Sequence, residues 1–306
     1  MSLIVFLHFG FKSIASSFFL IAILFNSLNA KSTIVLKNGE VIVQVEEPLH
    51  NAAKEVIELY PVIKAELEKS LKLGPDFIPT IVLIKDRETF QGMTDSNIVV
   101  AFAVPQKYLV VIDYSKMNTH PFTLKTTLKH EMCHLLLHNI EKGNIPKWLE
   151  EGTCQWMSDG IAEIISHEGQ SVMKKAVLSK GLISIRDLTA RFPKDEKSLL
   201  LAYEESKSIV EYIIKEFGVS GLLNIFEHLK TGYDIDEAIE KVLSISLNEL
   251  EMKWHNYLRN KITWVTYISN YLYEIIFFLA ALITIYGFVR ILIKKKAYKD
   301  KNEEEE

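Results

Sequence analysis

Alternating apolar and polar positions mark the start of the globular part of the chain. TIVLKNGEVIVQV, residues 33–45, consists of two period-two runs on either side of Asn38-Gly39, which predicts a β-hairpin. The period then becomes helical from about Ala52 to Leu73, with Gly74 as the stop. IPTIVLI (78–84), NIVVAFAV (97–104) and KYLVVID (107–113) read as strands. After Pro121 the apolar spacing is helical almost throughout, over residues 121–140, 146–158, 171–179, 199–217, 219–230, 234–243 and 246–262, with Gly143, Gly181, Gly218 and Gly232 between segments. A sheet first and helices afterwards predicts an α+β fold, in which a small N-terminal sheet with helices is followed by a helical part. No repeat or linker divides residues 31–262, which are expected to form one domain.

Both ends depart from this pattern. Residues 1–30 carry one lysine, Lys12, then an apolar run from Phe18 to Phe25, then small or polar residues up to Ala30. They read as a signal peptide cleaved after Ala30, or alternatively as an N-terminal anchor that stays attached. Near the other end no charged residue occurs from Ile275 to Val289, and residues 271–293 are long enough for a transmembrane helix at about 1.5 Å per residue. Trp264, Tyr267, Tyr271 and Tyr273 flank one side of it, and Arg290, Lys294, Lys295, Lys296, Lys299 and Lys301 the other. By the positive-inside rule the charged tail, 294–306, is cytoplasmic, residues 31–262 are extracytoplasmic, and membrane lipid is a partner through the helix.

Composition adds two constraints. A chain of 306 residues that is 48% hydrophobic and 24% charged can bury a full core even without its ends. A net charge of −4, with Lys and Arg scattered outside the tail, argues against nucleic acid as a partner. The two cysteines, Cys133 and Cys154, form either a disulfide, as an exported chain allows, or two buried thiols.

The chemistry is concentrated in HEMCHLLLHNIEKGNIPKWLEEG, residues 130–152, which holds three histidines and four glutamates. On a helix His130 and His134 are about 40° and 6 Å apart, so both imidazoles can meet one ion, and Glu131 can reach a water on it. This HExxH arrangement supplies two metal ligands and a general base. His138 lies about 12 Å up the helix from His130, too far to share an ion, and Glu141 follows too closely for a returning chain to present it. Pro146 opens a second helix carrying Glu150 and Glu151, whose adjacent positions point about 100° apart, so one of them faces the ion. Gly152, having no Cβ, would let this helix approach the first closely, which favours Glu151 as third ligand.

HEMCH followed by PKWLEEG resembles the peptidase MA-like, gluzincin group of zinc metallopeptidases, which read HExxH and then Pro-x-Trp-Leu-x-Glu-Gly. The resemblance implies a zincin-type fold, one Zn²⁺ as cofactor, His130, His134 and Glu151 as its ligands, and Glu131 as the base. It extends to TIVLIKDRETF and VVAFAVPQKYLVVID, similar to the strands before the catalytic helix. LLAYEESKSIVEYIIKEFG is similar to an Ala-Tyr-x-x-Ser helix and LNELEMKWHNYL to a closing Leu-Glu-x-x-Trp segment, so the likeness covers about residues 45–260. The same resemblance offers Tyr203 as a catalytic residue, a phenol that donates to a developing oxyanion. The other reading of Tyr203 is a packed tyrosine with its hydroxyl satisfied locally. One position departs from the family pattern: four residues after the zinc glutamate many relatives carry an acid, and here stands Gln155. An acid that orients a ligand histidine must then come from elsewhere, Asp159 being one candidate.

Two classes of function follow. One is a membrane-anchored zinc metallopeptidase acting on peptides or proteins in the envelope or at the cell surface. The other is a catalytically inactive extracytoplasmic binding or scaffold module with a zincin-like fold. Ligands and base are all present, which favours the enzyme.

Overall fold

The computed structural model describes residues 33–94, 99–117, 119, 122–140, 145–158 and 169–303. The expected signal segment, Glu141, Gly143 and Asp159 lie outside these residues. The chain forms two compact units, one running to Trp254 and one from His255 onward.

The first unit begins with five strands, β1 (Thr33–Lys37), β2 (Ile42–Glu46), β3 (Thr80–Ile84), β4 (Ala101–Val104) and β5 (Leu109–Asp113), in the order β1-β2-β3-β5-β4. The two edge pairs are antiparallel, whereas β2 with β3 and β3 with β5 are parallel. At the expected hairpin Lys37 faces Ile42, so the connection is the loop 38–41 rather than a two-residue turn. The Asn38 side chain accepts hydrogen bonds from the amides of Glu40 and Val41, both at 3.1 Å, and Gly39, between Asn38 and Glu40, takes φ 88°. Asn and Gly therefore make the turn as expected, but Asn38 closes the loop through its side chain. The buried ladder of β3 and β5 carries apolar side chains on both faces, as central parallel strands require.

Helices α1 (His50–Leu71) and α2 (Arg87–Thr94) are connected with the sheet. α1 stops at Lys72, which adopts the left-handed conformation at φ 58°, two residues before the glycine expected to end it. α2 has no counterpart among the elements predicted from the sequence, because a helix of two turns has too few apolar repeats to show a period. Asp86 accepts from the Thr89 amide at 2.7 Å to start it, and Phe90 packs against Val82, Ile84 and Val111.

The remaining helices of this unit are α3 (Leu124–Ile140), α4 (Lys147–Ser158), α5 (Gly169–Ser179), α6 (Ile185–Ala190), α7 (Glu196–Lys230), α8 (Ile235–Leu243) and the first turns of α9 (Leu247–Asn270). α7 is two helices joined at Gly218, whose φ of 73° and ψ of 170° break the helix where the sequence places a boundary. α6, likewise too short for a period, is capped by Ser184. α3 packs on β4 and β5, α4 lies against α3, and α7 covers α4. Trp148 and Trp254 are fully buried and donate from Nε1 to Thr189 and Ser208, each at 3.0 Å. The result is an α+β fold, largely helical, with a small N-terminal sheet.

In the second unit α10 (Leu272–Glu303) contains a stretch, Leu272–Lys295, long and apolar enough to cross a membrane, and its large apolar side chains from Leu272 to Ile293 are exposed. At about 1.5 Å per residue that stretch exceeds a hydrocarbon core of about 30 Å.

Candidate metal centre

α3 carries His130 and His134 one turn apart, both buried, and their rings meet edge to face with centroids 4.8 Å apart. The two Nε2 atoms lie 3.1 Å from each other. α4 brings Glu151 to them, with Oε2 at 3.6 Å from His130 Nε2 and 3.5 Å from His134 Nε2. A tetrahedral zinc with bonds of 2.0–2.1 Å would separate its ligand atoms by roughly 3.3 Å. The triangle of two imidazole nitrogens and one carboxylate oxygen has that size. This cluster is compatible with one metal ion.

Glu151, not Glu150, is the glutamate grouped with the two histidines, but Gly152 does not bring α4 onto α3. A Cβ at Gly152 would strike the carbonyl oxygen and carbon of Ser206, a backbone contact on α7, and also Val210 Cγ2 at 2.8 Å. The glycine seats α4 on α7, not on α3. What joins α4 to α3 is covalent: Cys133 and Cys154 are disulfide-bonded, with Cα atoms 5.4 Å apart and a sequence separation of 21. Of the two states the sequence allowed, the bridge is the one present. A loop of that length corresponds to about 3 kcal/mol by the chain-entropy argument.

Glu150, to which the sequence assigned no role once Glu151 was favoured, has one in the structure. Its Oε1 accepts a hydrogen bond from His134 Nδ1 at 2.8 Å. That bond puts a proton on Nδ1 and leaves Nε2 as the ring nitrogen that faces the cluster. Adjacent helix positions do diverge, so Glu150 does not join Glu151 in the cluster, yet its side chain reaches the outer nitrogen of His134. His130 has a neutral partner instead. Its Nδ1 lies 3.3 Å from Ser158 Oγ, which itself donates to the Cys154 carbonyl at 2.8 Å. Gln155, at the position of the missing acid, is buried with neither amide atom hydrogen-bonded among the described residues. His138 ends α3 outside the cluster.

Lys147 is the residue that sequence reasoning missed altogether. Its Nζ lies 2.7 Å from Glu151 Oε1, one turn away on α4. A lysine between a proline and a tryptophan reads as a solvated side chain, and no signal short of the fold shows otherwise. Lys147, Glu150, Glu151, Cys154 and Ser158 fall within an arc of about 100° on α4, the stripe that faces α3.

The buried charges define the electrostatics. Burial raises the Glu131 carboxyl above the usual range and Glu151 adds to this, against the pull of His130 and His134. Burial also opposes a charged His134, but Glu151 and Glu150 carry its pKa up to about 10. Glu151 goes the other way. Burial works against its ionisation, yet Lys147 and the two imidazoles hold it well below the usual carboxylate range. Tyr203, on α7, is pushed far up by burial and by Glu151, Glu131 and Glu150, which puts its phenol in the field of the cluster. Its ring also packs edge to face on Phe192 at 5.4 Å.

Among solved structures, the chain is similar to a mutant of the M1 zinc metallopeptidase from Deinococcus radiodurans, at 11% identity and a TM-score of 0.42 over 73% of this chain and 51% of that one. This chain thus spans about half the length of that structure. No curated protein matches the sequence. The family model described as "Peptidase MA superfamily" matches residues 96–260, a stretch that runs from β4 through most of α9 and includes His130, His134 and Glu151. With more than half of the chain inside that match, the protein belongs to the peptidase MA superfamily.

Proposed function

We propose that the protein is a membrane-anchored zinc metallopeptidase in which His130, His134 and Glu151 hold one Zn²⁺. The observation that carries this reading is the triangle of Nε2, Nε2 and Oε2 with sides of 3.1, 3.5 and 3.6 Å. A bound zinc would supply Lewis acidity and make a water more acidic. Glu131, buried beside the two histidines, then takes a proton from the attacking water and passes it to the leaving amine. The raised pKa of this carboxyl suits a group that must both accept and release a proton. Tyr203 donates its phenol hydrogen to the oxyanion, since a neutral hydroxyl in the field of three carboxylates stays protonated. β4 supports peptide substrates, because it is the edge strand beside α3 and an extended chain can add to such an edge.

The apolar stretch of α10 anchors the chain, and the lysines after it favour a cytoplasmic far end with the catalytic unit outside. Substrates are accordingly peptides or proteins of the envelope or cell surface.

The test is metal analysis and cleavage of a peptide library by the detergent-purified full-length chain. Wild type should hold about one zinc and cleave, Glu131→Gln should hold zinc and not cleave, and Glu151→Ala should lose the metal. Cleavage unaffected by Glu131→Gln refutes the mechanism, and zinc without cleavage of any peptide turns the reading toward a binding module.

A further inference from the structure

Catalysis by zinc, Glu131 and Tyr203 leaves Lys147 without a task. Its ammonium is bonded to Glu151 Oε1, while Oε2 of the same carboxylate faces the two imidazoles. The lysine side chain is only 18% exposed, and it occupies the first turn of α4, where the helix macrodipole favours acids. Burial and helix position both count against a lysine there. Its surroundings supply the compensation. Glu131 and Glu151 are buried and Glu150 nearly so, and among the described residues Lys147 is the one lysine or arginine that pairs with any of the three.

We propose that Lys147 is a positioning residue and a fixed counter-charge of the metal centre: it holds Glu151 with one oxygen toward the histidines before any ion arrives, and it keeps metal affinity below what the three ligands alone would give. The inference rests on reading His130, His134 and Glu151 as a zinc site. Two effects compete when Lys147 is replaced. Losing the outer partner of a ligand loosens a metal by roughly tenfold to a hundredfold. Losing a positive charge one carboxylate away from a divalent cation acts in the opposite direction. In a buried, weakly screened site this is the larger effect. The metal-free variant is also left with a buried carboxylate that has lost its ammonium partner, which raises its free energy and favours metal uptake further. The net result is tighter zinc binding, whereas a lysine with a merely structural role would give looser binding.

The experiment measures zinc dissociation constants by chelator competition on the full-length chain in detergent, together with thermal unfolding with and without zinc. Lys147→Met and Lys147→Gln should bind one zinc roughly tenfold or more tighter than wild type, melt lower without metal, and gain more from zinc. Lys147→Arg, which keeps the charge, should stay within about threefold of wild type. If Lys147→Met does not fold, Lys147→Gln, which retains a hydrogen-bond donor, provides the comparison. Zinc binding that is unchanged or weaker in the neutral variants, or an arginine variant that behaves like them, overturns the proposal. A wild-type chain that binds no zinc refutes the metal-centre reading itself.

Discussion

Glu151 on α4 and Glu205 on α7 are both removed from water, and they are held in opposite protonation states. Glu151 has Lys147 at 2.7 Å and two imidazoles behind its other oxygen, and its carboxyl is held well below the ordinary range. Glu205 is fully buried and receives the Ile183 amide on both oxygens, at 3.0 and 3.2 Å. Burial, with Glu251 adding to it, raises this carboxyl to about 8 despite the backbone bond. Burial is common to both, so it does not decide the charge. Neighbouring cations decide it, and one amide donor does not substitute for them. The two regions also meet, because the residue after Glu151 is Gly152 and the residue after Glu205 is Ser206, whose carbonyl Gly152 touches.

The largest effect that can break this comparison comes from Glu205→Gln. The folded carboxyl titrates near 8 and an unfolded one near 4.5, so the folded chain keeps a proton that the unfolded chain releases. The contribution of Glu205 to stability is therefore complete below pH 4.5 and is lost as pH rises through 8. Glutamine stays neutral and can still accept from Ile183. The variant should be more stable than wild type at pH 9 by a few kcal/mol, since each pH unit between the two titration points is worth about 1.4 kcal/mol, and it should show no gain at pH 4. Denaturant unfolding at the two pH values measures this, and a gain independent of pH would mean that Glu205 carries its charge like Glu151.

Gly152→Ala tests the contact between the two regions. The obstacle is backbone rather than a flexible side chain, so α4 and α7 must move apart at a cost of about 1–3 kcal/mol. Both the unfolding midpoint and zinc affinity should fall. Wild-type zinc affinity in this variant would show that the seat on α7 does not position Glu151.

Glu150→Gln should have the smallest effect on the fold. It replaces the charged acceptor of His134 and is expected to weaken zinc binding roughly tenfold to a hundredfold. The metal-free unfolding midpoint should stay close to wild type. Equal zinc affinity would mean that the 2.8 Å bond to Nδ1 does not orient the ring.

Much of this was legible in the sequence because it depends on short-range spacing. The separation of His130 and His134, the helix opened near Pro146, the stop at Gly218 and the hairpin at Asn38-Gly39 are all local. Elements of two turns or less, α2 and α6, lack enough repeats to show a period, and they are specified by caps and by the packing of one or two residues such as Phe90 and Leu188. What the sequence could not reveal is which distant element a side chain meets. Gly152 announces a close approach without naming its neighbour, which lies some fifty residues further on. Glu150 and Lys147 look like solvated charges until α3 and α7 close over α4, and Gln155 marks a lost acid without showing that a residue five positions earlier reaches the other histidine.

The polar stripe on α4 has a consequence for how this segment tolerates change over time. Lys147, Glu150, Glu151, Cys154 and Ser158 share one face through their register, whereas Trp148, Gly152 and Gln155 lie on another. A substitution at any one of them removes only that side chain's own contacts. Insertion or deletion of a single residue after Glu151 would rotate everything beyond it by about 100°, carrying Cys154 from its bond to α3 and Ser158 from His130 together. Sequence drift in this helix is therefore expected to proceed by replacement at fixed length, so its twelve-residue span is as much a part of the site as the side chains it carries.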